Sequence, residues 1–396
     1  MVNNARKQGF SLLIVRLAIA AVSISILVML LAVAISKGYQ KEVRGKLIGF
    51  NTHFQINNLD LNNSYNSMPI VQDTIFENNL RLLPEVAHIQ PYITKAGIIK
   101  TDDEFEGIVL KGINNDYDFS FLQKHLVKGS KPNFTDDSIA NFIVLSQKTA
   151  DKLGFKLNDD VIIYFIQEPP RVRKLKITGI FNTGLGEVDA LYAFTDLRIL
   201  QRLHGYNHNQ ITGYEVILKP DFKTSDVKSN IKLMAPYDYD VKPIEKIFPQ
   251  MVEWLDLLDL NVLVVIILMI LVASINMITA LLILIVERSN MIGILKALGS
   301  NNKQIQQIFL YMAANIIIKG LIIGNTIGLL LILFQQKTNF FKLNADDYYL
   351  DVIPVNIGLN QILIINILAF VLCLFTLLLP VRVISKISPV KAIRFT

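Results

Sequence analysis

Histidine, cysteine and acidic side chains are the residues in this chain most able to do chemistry, because they supply metal ligands and acid–base groups. The chain has 5 histidines. His204 and His208 are four residues apart, but no third ligand accompanies them and the Glu of a His-Glu-x-x-His zinc motif is missing. The single cysteine, Cys373, lies inside an apolar run, and no Gly-x-Ser-x-Gly motif occurs. We therefore expect surface histidines, no catalytic residue, no metal site and no enzyme.

The sequence also contains no pattern for binding nucleotides. It has no Gly-x-x-x-x-Gly-Lys-Ser/Thr loop, whose backbone N–H groups would cradle nucleotide phosphates. The formal net charge is +6, yet no basic stripe is interleaved with aromatic residues as a nucleic-acid site requires. We expect no cofactor bound by this chain and no nucleic-acid partner, so the energy for any active process must come from another protein.

The segment 287–299 is the strongest candidate site for a partner. Its sequence is Glu-Arg-Ser-Asn-Met-Ile-Gly-Ile-Leu-Lys-Ala-Leu-Gly. In a short helix, four apolar side chains spaced by three or four residues would form one stripe; they are Met291, Ile294, Leu295 and Leu298. The stripe allows two interpretations, an interfacial helix that rests on lipid headgroups or a knob that docks into a cytoplasmic partner.

Flanking residues predict where this helix ends. Gly299 is a natural helix stop because glycine adopts the left-handed conformation freely. Asn301 then caps the next helix, with Gln304 three residues later as in a capping box. Three charged side chains make the segment polar and offer ionic contacts: Glu287, Arg288 and Lys296.

Lys319 is an unusual charge within a long apolar stretch further along the chain. A lone lysine near the middle of a membrane helix costs about 2.5–3.5 kcal/mol on insertion scales, so it should face protein or water. Gly320, Gly324 and Gly328 follow at four-residue spacing, which permits close helix contact. Lys319 either extends to the outer interface or lies at a cavity or interface together with Gly320 and Gly324.

Composition places these residues in a membrane protein. Hydrophobic residues make up 52% and charged residues 18% of the 396 residues, whereas soluble domains carry about 25% charged residues. A membrane-spanning helix needs about 20 apolar residues. Four stretches meet that need, at 17–36, 257–286, 303–334 and 355–381. The first is preceded by basic residues like a signal peptide, but its apolar core is longer, so we expect a retained anchor.

The distribution of charge predicts the orientation of these spans, since basic residues favour the cytoplasmic side. The basic flanks are Arg6, Lys7 and Arg16; Arg288, Lys296 and Lys303; and Arg382, Lys386, Lys391 and Arg394. The loop between the third and fourth spans differs, since it carries Asp346, Asp347 and Asp351 against Lys337 and Lys342. We therefore expect a multi-pass protein of the cell inner membrane with both termini in the cytoplasm.

The polar block between the first two spans is predicted to be a domain of mixed α and β structure. Runs of β-branched and aromatic residues predict strands at 96–99, 108–110, 141–145, 161–166, 175–181 and 214–218. Helices are predicted at 68–83, 147–153 and 195–203, and Pro169-Pro170 predicts a hairpin loop. Ile247, Met251 and Leu255 fall on one face of a helix that leads back to the membrane.

The predicted fold class is a membrane protein with four transmembrane α-helices plus a large α+β extracytoplasmic (periplasmic) domain inserted between the first and second of them. The predicted organisation is a cytoplasmic N-terminus at 1–16, the first span at 17–36, the periplasmic domain at 37–256, the second span at 257–286, a cytoplasmic loop helix at 287–302, the third span at 303–334, a periplasmic loop at 335–354, the fourth span at 355–381 and a cytoplasmic tail at 382–396.

At residues 287–299 the sequence resembles a known family, the ABC-transporter permeases of the lipoprotein-releasing LolC/LolE type within the MacB/FtsX-like superfamily. The pattern Glu-Arg-x-x-x-Ile-Gly-Ile-Leu-Lys-Ala-Leu-Gly is similar to the hallmark of that superfamily. The stretches 143–150 and 177–181 resemble the periplasmic domain of the lipoprotein-releasing branch. Leu379-Pro380, 387–389 and 392–394 are similar to the closing signature of the family.

This resemblance implies a permease subunit that pairs with a second permease, either a paralogue or another copy of itself, and with two copies of an ABC ATPase subunit that bind ATP and Mg. In the family, closure of the ATPases pushes the loop helix, and the membrane helices relay the motion to the periplasmic domains. The implied substrate is a lipoprotein extracted from the inner membrane for transfer to the outer membrane. Membrane lipid and a periplasmic lipoprotein carrier are further implied partners, although only the short segment 167–174 stands where the carrier-recruiting permease has a hook loop.

The resemblance also implies which residues couple this chain to the ATPase. They are Glu287, Arg288, Met291, Ile292, Gly293, Ile294, Leu295, Lys296, Ala297, Leu298 and Gly299. An alternative within the same architecture is a MacB/FtsX-like mechanotransmission subunit that drives efflux or activates a cell-wall hydrolase. A secondary transporter is disfavoured because no inverted repeat is visible, and a sensor is disfavoured because no cytoplasmic output domain is present.

Overall fold

Four long helices occupy the most apolar stretches of the chain, within the residues that the computed structural model describes: 2–60, 68–101, 104–134, 139–220, 222–344 and 348–382. They are α1 (Val2–Asn51), α9 (Pro249–Glu287), α11 (Asn302–Thr338) and α12 (Leu359–Val381). Each is long and apolar enough to cross a membrane. Several predicted features lie outside what the structure describes: residues 383–396 of the predicted tail 382–396, the acidic residues Asp346 and Asp347, and the side chains of Arg6 and Lys7.

The first helix continues well past its apolar span, to Asn51, because helical hydrogen bonding does not stop where the sequence becomes polar. The fourth helix begins later than residue 355. Its N-cap is Gly358, whose N–H donates to the side chain of Gln361, and the preceding backbone is used elsewhere, since Asn356 N donates to Ala34 O at 2.9 Å.

The chain groups into two compact units. The membrane unit contains Met1–Glu42, Glu253–Leu343 and Val352–Thr396, and the inserted domain contains Val43–Val252 and Asn344–Asp351. The short segment Asn344–Asp351 comes from the connection between α11 and α12, yet it belongs to the inserted domain. The chain therefore passes between the two units within α1, near the start of α9, and at both ends of this segment.

Within the membrane unit, the four helices share one apolar core that includes Leu30, Phe309 and Leu377. Two asparagines add a polar contact between α11 and α12. Asn325 Nδ2 donates to Asn366 Oδ1 at 2.6 Å, and Asn366 Nδ2 donates to Asn325 Oδ1 at 2.9 Å. Each amide also donates to the carbonyl four residues earlier in its own helix. The pair thus keeps its polar atoms satisfied where lipid offers no hydrogen bonds.

The inserted domain is built on a ten-stranded sheet, counted over the described residues. Its strands are β1 (Phe54–Asn58), β3 (Val86–Lys100), β4 (Phe105–Ile113), β5 (Leu126–Gly129), β6 (Phe142–Ser146), β7 (Asp160–Phe165), β8 (Arg171–Phe181), β9 (Tyr192–Asp196), β11 (Gly213–Leu218) and β12 (Tyr239–Pro243). The order is β12-β1-β11-β3-β4-β9-β6-β8-β5, and β7 pairs with β3 and β8. Only β4/β9 and β6/β8 are parallel among the described pairs.

Short helices and a small two-stranded sheet complete the inserted domain. The sheet pairs β2 (Ile70–Val71) with β10 (Gln210–Ile211). The helices are α2 (Thr74–Arg81), α3 (Ser120–Lys124), α4 (Gln147–Leu153), α5 (Gly186–Leu191), α6 (Leu197–His204), α7 (Thr224–Met234) and α8 (Ile244–Ile247). Along β1, Phe54 and Ile56 are fully buried in the core while Gln55 and Asn57 alternate with them on the other face. These elements confirm the predicted fold class, four apolar helices plus a mixed α and β domain.

Several predicted elements need correction. The helix predicted at 68–83 is two elements, because Ile70–Val71 pairs with β10 and Asp73 caps a shorter helix by accepting from Ile75 N and Phe76 N. The helix predicted at 195–203 starts at Leu197, since Thr195 and Asp196 end a strand paired with β4.

The helix that leads back to the membrane is also divided. Ile247 ends α8 and Pro249 begins α9, where the N–H missing from proline is no loss. The prediction that Ile247 lies on one helical face with Met251 and Leu255 is therefore wrong for Ile247, which belongs to a different helix. The hairpin loop predicted at Pro169-Pro170 is correct, because β7 and β8 pair antiparallel on either side of it.

Candidate functional site

The loop between α9 and α11 folds as a separate short helix, α10 (Ser289–Ala297). Gly299 has φ of +94°, and its N–H donates to Lys296 O at 3.1 Å while Ser300 N donates to Leu295 O at 2.9 Å. These two bonds form a Schellman motif, which ends a helix by using a glycine in the left-handed conformation. Gly299 therefore stops α10 as its residue type predicts.

The helix that follows starts almost at once. Asn301 is the N-cap of α11, and Gln304 Oε1 accepts from Asn301 N at 3.0 Å in a capping box. Because both the end of α10 and the start of α11 are fixed by hydrogen bonds, only a few residues separate the two helices. The loop is consequently a short helix joined to α11 by a tight, hydrogen-bonded turn.

The apolar side chains of α10 point in two directions. Ile292 is fully buried and contributes to the core of the membrane unit, and Met291 and Leu295 pack half-buried against that core. Ile294 is 50% exposed and Leu298 is 79% exposed. The predicted stripe of four residues is therefore divided, with one face seated on the membrane unit and the other uncovered.

We call the uncovered face of this loop, formed by Ile294 and Leu298 together with the exposed Glu287 and Arg288, the loop surface. Its two apolar residues are four apart and lie on one side of the helix. Lys296 is half-buried and Gly293 is buried, so neither contributes much area. A small apolar centre flanked by opposite charges is a surface suited to a protein partner.

The other predicted site residues lie on two sides of α11. A Cβ placed on Gly320 would lie 2.7 Å from Val22 Cβ, and one on Gly324 would lie 2.6 Å from Ser23 O. Ser23 Oγ also donates to Gly320 O at 3.1 Å. The glycines therefore allow α1 and α11 of the same chain to touch, whereas Lys319 lies on the exposed side of α11.

The histidines do not form a common site in the described part of the chain, where no group of three potential metal ligands occurs. The expectation that all are surface residues is wrong for His53, whose Nδ1 accepts from Leu218 N at 3.1 Å. It is also wrong for His204, whose Nε2 lies 3.0 Å from Thr94 O and whose ring stacks on Tyr206. Burial, followed by the positive charge of Lys95, lowers the pKa of His204 to about 4. The ring is neutral near pH 7 and serves packing.

Sequence analysis missed a buried polar cluster in the inserted domain. Lys111 in β4 and Glu215 in β11 form an ion pair with 2.6 Å between Nζ and Oε1. Gln90 Nε2 donates to Glu215 Oε2 at 2.8 Å, and Lys111 Nζ donates to Phe50 O at the end of α1. The available signal was a charged residue within each otherwise apolar strand, Ile-Val-Leu-Lys-Gly-Ile and Tyr-Glu-Val-Ile-Leu.

Comparisons with known proteins match nearly the whole chain. The family described as MacB-like periplasmic core domain matches residues 16–233, and the family described as FtsX-like permease C-terminal matches residues 263–389. The lipoprotein-releasing system transmembrane protein LolC of Buchnera aphidicola is 25% identical over 407 residues, which cover 98% of this chain and 94% of that protein.

A second relative and a solved structure are also similar to parts of this chain. The lipoprotein-releasing system transmembrane protein LolE of Haemophilus influenzae is 21% identical over 412 residues, which cover 98% of this chain and 96% of that protein. The periplasmic region of MacB from Actinobacillus actinomycetemcomitans is 18% identical and covers 53% of this chain and 95% of its own, with a TM-score of 0.36.

Proposed function

Because the chain belongs to the MacB/FtsX superfamily, as an ABC-transporter permease of the LolC/LolE type, we propose that it couples ATP hydrolysis by a partner ATPase to motion of its inserted domain. It is a multi-pass inner-membrane protein and a transport subunit, not a classical enzyme. In the proposed complex, two ATPase subunits bind ATP and Mg, and a second permease, a paralogue or another copy, completes the membrane part. Both termini and the loop surface face the cytoplasm, and the inserted domain faces the periplasm.

The loop surface is the observation that carries this proposal. Ile294 and Leu298 are uncovered, although apolar side chains normally gain from burial by about 1.5–3 kcal/mol each. Ile292, which lies on another face of the same helix, is fully buried in the membrane unit. A partner that covers Ile294 and Leu298 would therefore push on a helix that already packs against the core of the membrane unit, and the helices that precede and follow it, α9 and α11, would take up the displacement.

The proposed substrate is a lipoprotein, extracted from the inner membrane for transfer to the outer membrane. Its support is that relatives named as lipoprotein-releasing system proteins align with 98% of this chain. Lys319, on the exposed side of α11, is proposed to lie near lipid headgroups or the partner permease. A periplasmic carrier would accept the released lipoprotein, with the short segment 167–174, which contains the hairpin turn and the start of β8, as one contact.

A pair of matched substitutions tests the coupling role. Leu298→Asp places a charge in the loop surface. Leu233→Asp makes the same change at a control position, since Leu233 also lies near the end of a helix and its side chain is 86% exposed. Leu298→Asp should weaken co-purification of the ATPase in mild detergent by about 30-fold, the effect of losing a contact residue worth about 2 kcal/mol. Leu233→Asp should leave it unchanged.

The point substitution is preferable to deleting residues 289–298, because deletion would also remove the buried Ile292. Equal recovery of the ATPase with both variants would show that the loop surface is not part of the interface with the ATPase. Substrate class needs a second assay, release of a fluorescent triacylated lipoprotein from proteoliposomes that contain the complete complex with ATP. A complex that hydrolyses ATP but never binds or releases lipoprotein would favour the mechanotransmission function.

A further inference from the structure

Lys46 lies in the last turns of α1, in the part of the helix that belongs to the inserted domain. Its Nζ donates to Thr183 O at 2.6 Å and to Tyr349 O at 2.8 Å. These carbonyls belong to two segments that are far apart in sequence. The ammonium group, which carries three donors, therefore joins three pieces of chain at one point.

The first acceptor, Thr183 O, lies in a loop that is also held by hydrogen bonds to Asp189, independently of Lys46. The buried carboxylate of Asp189 accepts from Thr183 N at 3.0 Å, from Thr183 Oγ1 at 2.6 Å and from Gly184 N at 3.1 Å. Burial raises the pKa of Asp189, whereas these hydrogen bonds and the charge of Lys46 oppose that rise. The loop thus presents a fixed carbonyl beside a carboxylate, a suitable receptor for a cation.

The second acceptor, Tyr349, belongs to Asn344–Asp351, which connects the third and fourth membrane helices but groups with the inserted domain. Tyr349 has a φ of +59°, a conformation uncommon outside glycine, and its neighbour Leu350 is 6% exposed. The residues on either side of this segment belong to the membrane unit. The hydrogen bond from Lys46 to Tyr349 O therefore fixes part of the connection between α11 and α12 to the rest of the inserted domain.

Gly184 provides the space for this contact. A Cβ on Gly184 would lie 2.8 Å from Lys46 Nζ and 3.3 Å from Tyr349 O. Any larger residue would therefore press on the lysine and on the segment it holds. The positive φ of +74° adds a second reason for glycine here.

We propose that Lys46 is a positioning residue that ties the end of α1 and the loop at Thr183 to the connection between α11 and α12, so that movement of the membrane helices is transmitted to the inserted domain. This inference rests on the proposed function for its consequence in transport. The tie itself is a property of the fold and is measurable without transport. Without it, the inserted domain would still be connected by α1 and α9, but the segment at Tyr349 would move separately.

Substitution of the lysine tests the tie. Lys46→Met keeps the length of the side chain and removes its donors, and Lys41→Met makes the same change at an exposed lysine of the same helix. In the complete complex, hydrogen exchange of a peptide covering residues 348–352 should become about tenfold faster in Lys46→Met only, in the range of coupling between sites. Exchange in β11 should not change, which would show that the domain remains folded.

A second pair of variants reaches the same contact from its other side. Gly184→Ala and Gly154→Ala both place alanine at a positive φ, +74° and +72°, but a Cβ on Gly154 would meet nothing within 4 Å. Both therefore carry the same backbone strain. Only Gly184→Ala should accelerate exchange at 348–352, and combining it with Lys46→Met should add little, since both remove one interaction.

Transport then tests the consequence. Lys46→Met complexes should keep their ATPase subunits and their rate of ATP hydrolysis, while lipoprotein released per ATP falls by about tenfold. Unchanged exchange at 348–352 in Lys46→Met would overturn the tie, whatever transport does. Faster exchange with unchanged release per ATP would overturn its role in transmission. If the wild-type complex releases no lipoprotein, the proposed function is contradicted. The hydrogen-exchange result alone then tests whether Lys46 fixes the segment at Tyr349.

Discussion

Lys111 and Glu215 form a fully buried ion pair, with their side chains 1% and 0% exposed and 2.6 Å between Nζ and Oε1. The pair bridges across β3, since β11 and β4 flank that strand. Lys111 Nζ also donates to Phe50 O at 3.1 Å and lies 5.6 Å from the centre of the Tyr117 ring. A positive charge at the carbonyl end of α1 is favourable because of the helix dipole. The pair therefore fastens the end of α1 to the sheet.

Breaking this pair should destabilise the protein strongly. Glu215→Gln leaves the Lys111 charge buried without its counter-ion, which costs about 3–5 kcal/mol. Asp160→Asn breaks an ion pair with Lys174 that is 2.9 Å long but exposed, and such pairs contribute about 0–1 kcal/mol. Chemical unfolding of the purified full-length protein in detergent should separate the two variants. A similar loss of unfolding free energy in both variants would show that burial does not make the ion pair of Lys111 and Glu215 more important for stability than an exposed pair.

The reciprocal amide pair of Asn325 and Asn366 should hold α11 and α12 together. Asn325→Leu leaves the half-buried Asn366 amide without its partner, and interhelical hydrogen bonds in membranes contribute about 0.6–2 kcal/mol. Asn315→Leu, at an exposed position of the same helix, is the matched control. Thermal unfolding in detergent measures both. If the loss in the double variant Asn325→Leu/Asn366→Leu equals the sum of the single losses, the two amides do not interact.

Burial of His53 predicts a loss of stability in mild acid. Burial lowers its pKa to about 4, although Glu245 favours the protonated ring, and Leu218 N donates to His53 Nδ1 at 3.1 Å. The unfolded chain, with a histidine pKa of about 6.5, binds more protons between these values, so stability is complete above pH 6.5 and falls as pH decreases toward 4.

Replacement of His53 tests whether this histidine causes the predicted loss of stability in mild acid. His53→Gln keeps an acceptor for Leu218 N but does not titrate. Hydrogen exchange of a β11 peptide, followed from pH 7 to pH 4 after correction for intrinsic exchange, should show a weaker acid dependence in the variant. Identical acid dependence in wild type and variant would assign the effect to other groups.

The sequence by itself determined the features that depend on local composition. Long apolar stretches can satisfy their backbone in lipid only as helices, so the four helices were predictable without any tertiary information. Gly299 and Asn301 fixed the ends of their helices through capping, which involves only neighbouring residues. The loop helix at 287–299 could be recognised for the same reason.

Tertiary structure decided which side of each element is covered. The periodicity of α10 placed Ile294 and Leu295 on one stripe, but packing against the membrane unit buries Ile292 completely and leaves Ile294 half exposed. Neither the meeting of Lys111 with Glu215 nor that of Lys46 with Tyr349 could be predicted, because 104 and 303 residues separate the partners. Such contacts arise from strand order and from the return of the segment Asn344–Asp351 to the inserted domain, and no local pattern encodes either.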